Sequence, residues 1–243
     1  MNRTLIKKYV DKQPAKVVTK LDLSANKIAY DKIVQGRVIN EITGDEEMSR
    51  AFILTRLVNE LGYAADRIEI EHEYTAGRPH TITSRIDIIV RDSKGDAFLF
   101  IEVKNPDEYD TIDKDKTIEE QLYKVSFMEN AEGHKVKYLV LYTTSEVGGK
   151  VSDECMIIDT EAYPTYADWE AERNFTNDLP ARYGKAQHKP YVKDSDKDLE
   201  TNFTGEMLSQ LQTDLHNVLW GGGGTDDNEV FASLTNLILA KIP

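Results

Sequence analysis

Two carboxylates and a lysine fall on neighbouring segments that have the character of β-strands. The first segment contains Asp87, and the second ends in Glu102, Val103 and Lys104. Residues i and i+2 of a strand project from the same face, so Glu102 and Lys104 are expected to point together. The intervening residues 92–96 (Asp-Ser-Lys-Gly-Asp) favour a hairpin turn. The pairing is therefore predicted to bring Asp87 beside Glu102.

Such a cluster is costly unless a cation lies between the carboxylates. Two carboxylates about 4 Å apart repel each other by roughly 4 kcal/mol at an effective dielectric constant near 20. A divalent ion reverses this repulsion, and Mg²⁺ commonly binds one or two protein carboxylates together with water and substrate phosphate. Lys104 would lie beside the ion, where its ammonium group can hold a water molecule or stabilise charge on a pentavalent phosphorus. These groups predict metal-assisted phosphodiester hydrolysis, provided that Asp87 and Glu102 share an ion and no arginine clamps either permanently.

The pattern Asp-x(n)-Glu-x-Lys resembles the PD-(D/E)xK nuclease superfamily. The surrounding sequence is similar, over roughly residues 40 to 145, to the amino-terminal endonuclease domain of type I restriction enzyme R (motor) subunits and of fused restriction–modification proteins. The residues that carry this resemblance are Glu46, Glu47 and Arg50 on one helix, Leu61-Gly62-Tyr63, Ile68–Glu71, Arg85-x-Asp87 and Ile101–Pro106.

The resemblance implies a role for each residue of the predicted site. Asp87 and Glu102 would bind Mg²⁺, or Mn²⁺ in its place, together with the carbonyl of Val103. Lys104 would be the catalytic lysine, and Glu47 the helix carboxylate that reaches the site in many relatives.

A further implied participant is Gln121, on the helix after the hairpin. Restriction-type relatives often carry Gln-x-x-x-Tyr there, but Val125 occupies the tyrosine position in this chain and the nearest tyrosine is Tyr123. The implied partners are double-stranded DNA and the methyltransferase, specificity and motor modules of a restriction system. ATP or S-adenosylmethionine would act only through regions or subunits outside this chain.

Alternatives remain open from the residues alone. A single Glu-x-Lys on a strand is usually a solvated face, although the segment Phe98–Val103 is apolar on both faces and predicts a buried central strand. The main alternative is a catalytically inactive nuclease-fold module that docks a methyltransferase or motor subunit. RNA is not excluded as a substrate.

Composition predicts a cytoplasmic protein with no membrane segment and no internal disulfide. The chain has 243 residues, 40% apolar and 30% charged, and one cysteine, Cys155, in a segment predicted to be a buried strand. Its formal net charge is −13, whereas affinity for DNA depends largely on lysine and arginine. We therefore expect the chain to bind DNA weakly by itself and to depend on another module for affinity.

The expected fold class is α/β, with a restriction-endonuclease-like mixed sheet of four or five strands flanked by helices. A β-rich extension (1–43) precedes this nuclease core (44–160), in which Asp45 is the expected N-cap of the first helix. An irregular aromatic-rich segment (161–199) follows, whose aromatic side chains either anchor a long loop or stack on nucleic acid. A helical appendage (200–243) is predicted at the end, as the start of a connection to a further domain, with helices at 204–220 and 228–242. The run from 215–220 through 227–231 is weakly similar to the entry helices of adenine-N6 DNA methyltransferase domains.

Overall fold

A mixed six-stranded sheet organises the part of the chain described by the computed structural model, which comprises residues 2–13, 18–76, 81–190, 204–206, 209–210 and 213. The helices and strands follow one another as α1 (Arg3–Asp11), β1 (Thr19–Asp22), β2 (Lys27–Tyr30), β3 (Val34–Gln35), α2 (Asp45–Asn59), β4 (Ile68–Ala76), β5 (Thr81–Arg91), β6 (Ala97–Val103), α3 (Lys114–Thr117), α4 (Lys124–Ala131), β7 (Val136–Val147), β8 (Lys150–Asp159) and α5 (Tyr166–Glu172). A π-helical segment, Ile118–Tyr123, joins α3 to α4.

The sheet has the order β3-β4-β5-β6-β7-β8, with β1 and β2 forming a separate antiparallel pair. Strands β4, β5 and β6 are antiparallel neighbours, and β6 and β7 are parallel across the helical connection, as is usual for a strand–helix–strand unit. The α/β mixed sheet is thus confirmed. It contains one strand more than the predicted four or five, because β3 has only two residues and no recognisable alternation.

Helices cover both faces of the sheet. On one face α2 packs its buried stripe against β4, β5, β6 and β7, with Met48, Ile53, Leu54 and Leu57 fully buried. On the other face the α3–α4 region and Trp169 of α5 form a second apolar cluster. Strand β6 is buried on both sides, because Leu99 and Ile101 belong to the first cluster and Phe100 to the second.

Helix α2 begins one residue earlier than expected. Its N-cap is Gly44, so Asp45 is the first helical residue and not the cap, and the carboxylate of Asp45 pairs with Arg3 of α1 at 2.6 Å. Asp45, Glu46 and Glu47 together place three acidic residues in the first turn, where the helix dipole favours negative charge. These acidic residues therefore stabilise the start of α2, whatever their role in the site described below.

The amino-terminal extension is β-rich, as predicted, and also contains α1. This helix packs on α2 through Ile6 and Val10, and the rings of Tyr9 and Phe52 lie 4.5 Å apart. The sequence analysis did not predict α1, because its three basic residues obscure a narrow apolar stripe. Cys155 is a buried thiol, as expected.

The segment after β8 has more structure than an irregular loop. It contains α5, whose start is fixed by a capping box between Thr165 and Asp168. Trp169 is 1% exposed, and Tyr183 packs edge-on against Tyr63 and Phe98, which agrees with aromatic residues that anchor a loop.

A second unit of the chain, Pro190–Pro243, is separate from the first, Met1–Lys189. The predicted helix at 228–242 lies outside the described residues, and of the helix predicted at 204–220 only residues 205–206, 209–210 and 213 are seen to be helical. Within the described ranges, none of the helices combines the length and the apolar character required to cross a bilayer.

Strand β4 changes the face of its side chains at Glu71, which has a left-handed φ of 53°. Ile68 and Ile70 belong to the cluster under α2, whereas Tyr74 belongs to the cluster on the opposite face. Gly36, just after β3, lies so close to this irregularity that a Cβ on it would be 2.2 Å from the Glu71 carbonyl oxygen. The close approach of these two backbones requires glycine at position 36.

We predict that Gly36→Ala destabilises the fold by about 1–3 kcal/mol, because the added methyl group displaces the Glu71 backbone. Urea unfolding followed by circular dichroism measures the change. Gly44→Ala is the matched control, since its Cβ would meet nothing within 4 Å and its φ of −171° suits any residue; it should cost less than about 1 kcal/mol. Equal losses in the two variants would contradict the proposed backbone contact.

Candidate active site

The predicted carboxylates lie side by side at one end of the central strands. Ile88 of β5 pairs with Ile101 of β6, so Asp87 and Glu102 are each one residue beyond this pair. Both are largely buried, with 8% of Asp87 and 9% of Glu102 exposed. The hairpin predicted from the sequence therefore brings these two side chains together as expected.

Both oxygens of Asp87 are engaged. Its Oδ2 accepts a 2.7 Å hydrogen bond from the backbone N–H of Val103, and its Oδ1 accepts one of 2.5 Å from Nη2 of Arg50 on α2. An arginine thus contacts one of the two predicted metal ligands, the arrangement that the sequence interpretation required to be absent or reversible.

Glu102, Lys104 and Gln121 form a chain of polar contacts. The ammonium group of Lys104 donates to Glu102 Oε1 at 2.7 Å and to Gln121 Oε1 at 2.5 Å. The backbone of Lys104 is fixed as well, because its N–H donates to Tyr142 and its carbonyl accepts from Thr143, both at 2.8 Å. The lysine is therefore held at the end of β6 beside Glu102.

The π-helical segment is the element that carries Gln121. A π-turn inserts an extra residue into a helix and rotates the side chains that follow, and such turns are frequent at functional sites. Within it, Leu122 is fully buried and Tyr123 donates from its hydroxyl to the Tyr163 carbonyl at 3.0 Å. Tyr123 is thus directed to the α5 region, while Gln121 reaches Lys104.

The side chain of Glu47 projects from α2 into a buried polar network. One of its oxygens accepts from the hydroxyl of Tyr30, and the other from Nη1 of Arg50 at 2.7 Å. Glu47 is thus connected to Asp87 through Arg50.

The neighbouring Glu46, which the sequence analysis did not assign to the site, is electrostatically coupled to it. Burial raises the pKa of Glu46, and the charge of Asp87 raises it further, against the lowering effects of Arg50 and Lys104. Its side chain is 45% exposed, compared with 6% for Glu47. Of the two helix carboxylates, Glu46 is the one that is accessible from solvent.

Glu71 is another acidic group that the sequence analysis did not select. Its Oε1 lies 2.9 Å from Arg50, and its Oε2 lies 3.0 Å from Arg37 and 3.3 Å from Arg85. In a regularly alternating strand, Glu71 would share the face of Glu69, away from α2, and its left-handed backbone turns it beneath α2. The sequence did contain a signal that Arg50 has a buried partner. Arg50 precedes the apolar run Ala51–Leu54, and a charge in such a helix needs a buried partner.

Burial of these acids shifts their protonation. Burial raises the pKa of Glu102 to about 8, the charge of Asp87 adds to the rise, and Lys104 opposes it. Burial likewise raises the pKa of Glu47. Burial lowers the pKa of Arg50, but Asp87 and Glu47 outweigh this effect and leave its pKa above the ordinary value, so its guanidinium stays charged.

The donor set fits a hard divalent cation. Burial raises the pKa of Glu102 and the charge of Asp87 raises it further, and a cation between the two carboxylates would oppose both effects. Asp87 and Glu102 are accordingly the groups that could hold Mg²⁺.

A second group of potential ligands, His72, Glu129 and Glu132, lies elsewhere. Both oxygens of Glu129 are already bound there, by the Tyr74 hydroxyl and by Arg91, each at 2.5 Å. We assign this cluster a structural role. A cavity of about 520 Å³ beside Ala97 and Phe98 lies at the opposite end of β6 from Glu102.

The domain consists of a helix, three antiparallel strands, a second helical segment and a parallel strand, and acidic residues meet a Glu-x-Lys at the strand ends. This arrangement is that of a restriction-endonuclease-like α/β domain. The family described as type I restriction enzyme R protein N terminus (HSDR_N) matches residues 45–146, from the first residue of α2 almost to the end of β7. Over this segment the chain is therefore similar to the N terminus of type I restriction enzyme R proteins. No curated protein sequence matches the chain.

We predict that the metal-free protein loses stability as the pH rises from about 5 to about 8, and that Glu102→Gln removes this loss. Folded Glu102 keeps its proton until about pH 8, whereas the unfolded group releases it near pH 4.5, so unfolding releases a proton in this interval. The difference should reach a few kcal/mol, since one pKa unit corresponds to about 1.4 kcal/mol. Urea titrations of both proteins in EDTA at several pH values measure it; parallel profiles would show that Glu102 titrates normally.

Proposed function

We propose that the core of this chain is the Mg²⁺-dependent DNA endonuclease domain of a type I-like restriction–modification system. The match of residues 45–146 to the type I restriction enzyme R protein N terminus supports a role in such a system. The observation that carries the nuclease proposal is the convergence of Asp87, Glu102, Lys104 and Gln121 at one end of β5 and β6.

Each of these residues has a role in the proposed hydrolysis. Asp87 and Glu102, with the carbonyl of Val103, would hold the divalent ion, which supplies positive charge to the scissile phosphate and its attacking water. Lys104 stands within hydrogen-bond distance of Glu102, so its ammonium group can orient that water or stabilise the charge that develops on phosphorus. Gln121 acts as a positioning residue, because its amide oxygen accepts from Lys104 and restricts the lysine to one direction.

The contact between Arg50 and Asp87 favours a second candidate function. A permanently clamped Asp87 would not bind an ion, and the domain would then serve as an inactive module that docks a methyltransferase or motor subunit. The two functions differ in whether the chain binds a divalent ion at all. Calorimetry with Mn²⁺ separates them, since the nuclease should bind the ion and Asp87→Asn should abolish binding.

We predict that Lys104→Ala lowers DNA cleavage at least about a hundredfold while metal binding is retained, because it removes a preorganised charge and no metal ligand. Nicking of supercoiled plasmid in Mg²⁺ or Mn²⁺ measures the rate. Lys94→Ala, in the turn between β5 and β6 at the far end of the hairpin, is the matched control and should cleave normally. Unchanged nicking by Lys104→Ala would refute its role, and intact plasmid with the unaltered protein at saturating Mn²⁺ would favour the docking module.

We also predict that the isolated chain binds duplex DNA weakly, with a Kd above about 1 µM at about 0.15 M salt. The physical reason is its formal net charge of −13, which opposes the approach of a polyanion. Fluorescence anisotropy with a short labelled duplex, in Ca²⁺ to prevent cleavage, measures the affinity. Nanomolar binding would show that the chain needs no second module to hold DNA.

A further inference from the structure

Arg50 is the central residue of the buried network beneath α2. Its side chain is 3% exposed and contacts carboxylates from three elements: Glu47 of α2 at 2.7 Å, Glu71 of β4 at 2.9 Å and Asp87 of β5 at 2.5 Å. Only the last of these partners is a predicted metal ligand. Arg50 would therefore keep two buried anionic partners if its contact with Asp87 were broken.

Asp87 can accept an ion only by giving up an existing contact. Its Oδ2 is bound to the Val103 N–H, which belongs to the backbone of a strand paired with β7 and cannot withdraw. Its Oδ1 is bound to the Arg50 guanidinium, which belongs to a side chain and has Glu47 and Glu71 as its other partners. The arginine is thus the partner that a cation would displace.

We propose that Arg50 is an internal counter-ion of the metal site, which neutralises Asp87 in the ion-free protein and is displaced from it when a divalent cation binds. This inference rests on the proposed function, since it presumes that Asp87 is a metal ligand. Two positive groups compete for one carboxylate, so Arg50 weakens the affinity of the site for the ion. The ion is then retained mainly when a DNA phosphate adds its own negative oxygens, and the site binds the ion only weakly in the absence of DNA.

A purely structural role for Arg50 gives the opposite result. If the guanidinium only oriented Asp87, its removal would leave the carboxylate misplaced and would weaken metal binding. If it is a competing cation, its removal leaves Asp87, Glu47 and Glu71 without their shared positive charge and strengthens metal binding. The sign of the change in metal affinity therefore distinguishes the two roles.

We predict that Arg50→Gln binds Mn²⁺ at least tenfold more tightly than the unaltered full chain, as measured by isothermal titration calorimetry without DNA. Arg56→Gln is the matched control: it removes an arginine from the same helix, where Arg56 pairs with Glu60 at 3.0 Å and with Asp153, and should leave Mn²⁺ affinity unchanged. Circular dichroism verifies that each variant is folded. Unchanged or weaker Mn²⁺ binding by folded Arg50→Gln would overturn the counter-ion role.

A measurement on the unaltered chain keeps the proposal testable if Arg50→Gln does not fold. Crystals grown with Mn²⁺ locate the ion by its anomalous signal and should show Arg50 Nη2 beyond hydrogen-bond distance of Asp87 Oδ1. Mn²⁺ bound to Asp87 with the 2.5 Å contact intact would refute displacement while leaving the nuclease proposal in place. If neither the unaltered chain nor Arg50→Gln binds Mn²⁺, the metal site itself fails, and the proposed function fails with it.

Discussion

The burial of acidic side chains between α2 and the sheet is the constraint on which the rest of the site depends. Asp87, Glu71 and Glu47 lie in a region that excludes water, and a single guanidinium, that of Arg50, contacts all three. Removing one partner from a buried ion cluster commonly costs about 3–5 kcal/mol, because the remaining charge is left uncompensated. The first turn of α2, the irregularity in β4 and the end of β5 are therefore held in one arrangement. Any ion that binds Asp87 must therefore compete with these ion pairs.

The parts of the fold with a simple period were predictable from the sequence. Strands β5 and β6 were recognisable from their apolar runs and intervening turn, and this was enough to pair Asp87 with Glu102. Helix α2 and the parallel arrangement of β6 and β7 followed from an apolar stripe and a strand–helix–strand order. The predicted Glu-x-Lys lies at the end of a strand that is buried on both faces. The alternative that this motif lies on a solvated face of the sheet is therefore wrong.

The parts that were not predictable depend on contacts between distant residues. The left-handed backbone of Glu71 has no local cause in a segment of alternating residues, and it requires the close approach of Gly36. The π-helical segment that contains Gln121 is likewise not predictable from composition, because the same residues suit an ordinary α-helix. Glu46 and Glu47 are adjacent acids in one helical turn, and Glu47 is the one that is buried, where it accepts from Tyr30 and Arg50. Sequence reasoning could thus name Asp87, Glu102 and Glu47, but not Glu71 or the ion pairs that Arg50 makes with three of these four acids.

The hydroxyl of Tyr30 comes from β2, outside the segment that defines the family, and yet it donates to Glu47 in the centre of the network. Helix α1 also lies outside that segment and covers Phe52 of α2 with the ring of Tyr9. A protein trimmed to the family boundaries would leave an apolar helix face in water and a buried acid without its donor. The smallest fragment suited to expression therefore extends back to the first helix, and a minimal domain drawn from similarity alone would be a poor choice for biochemical work.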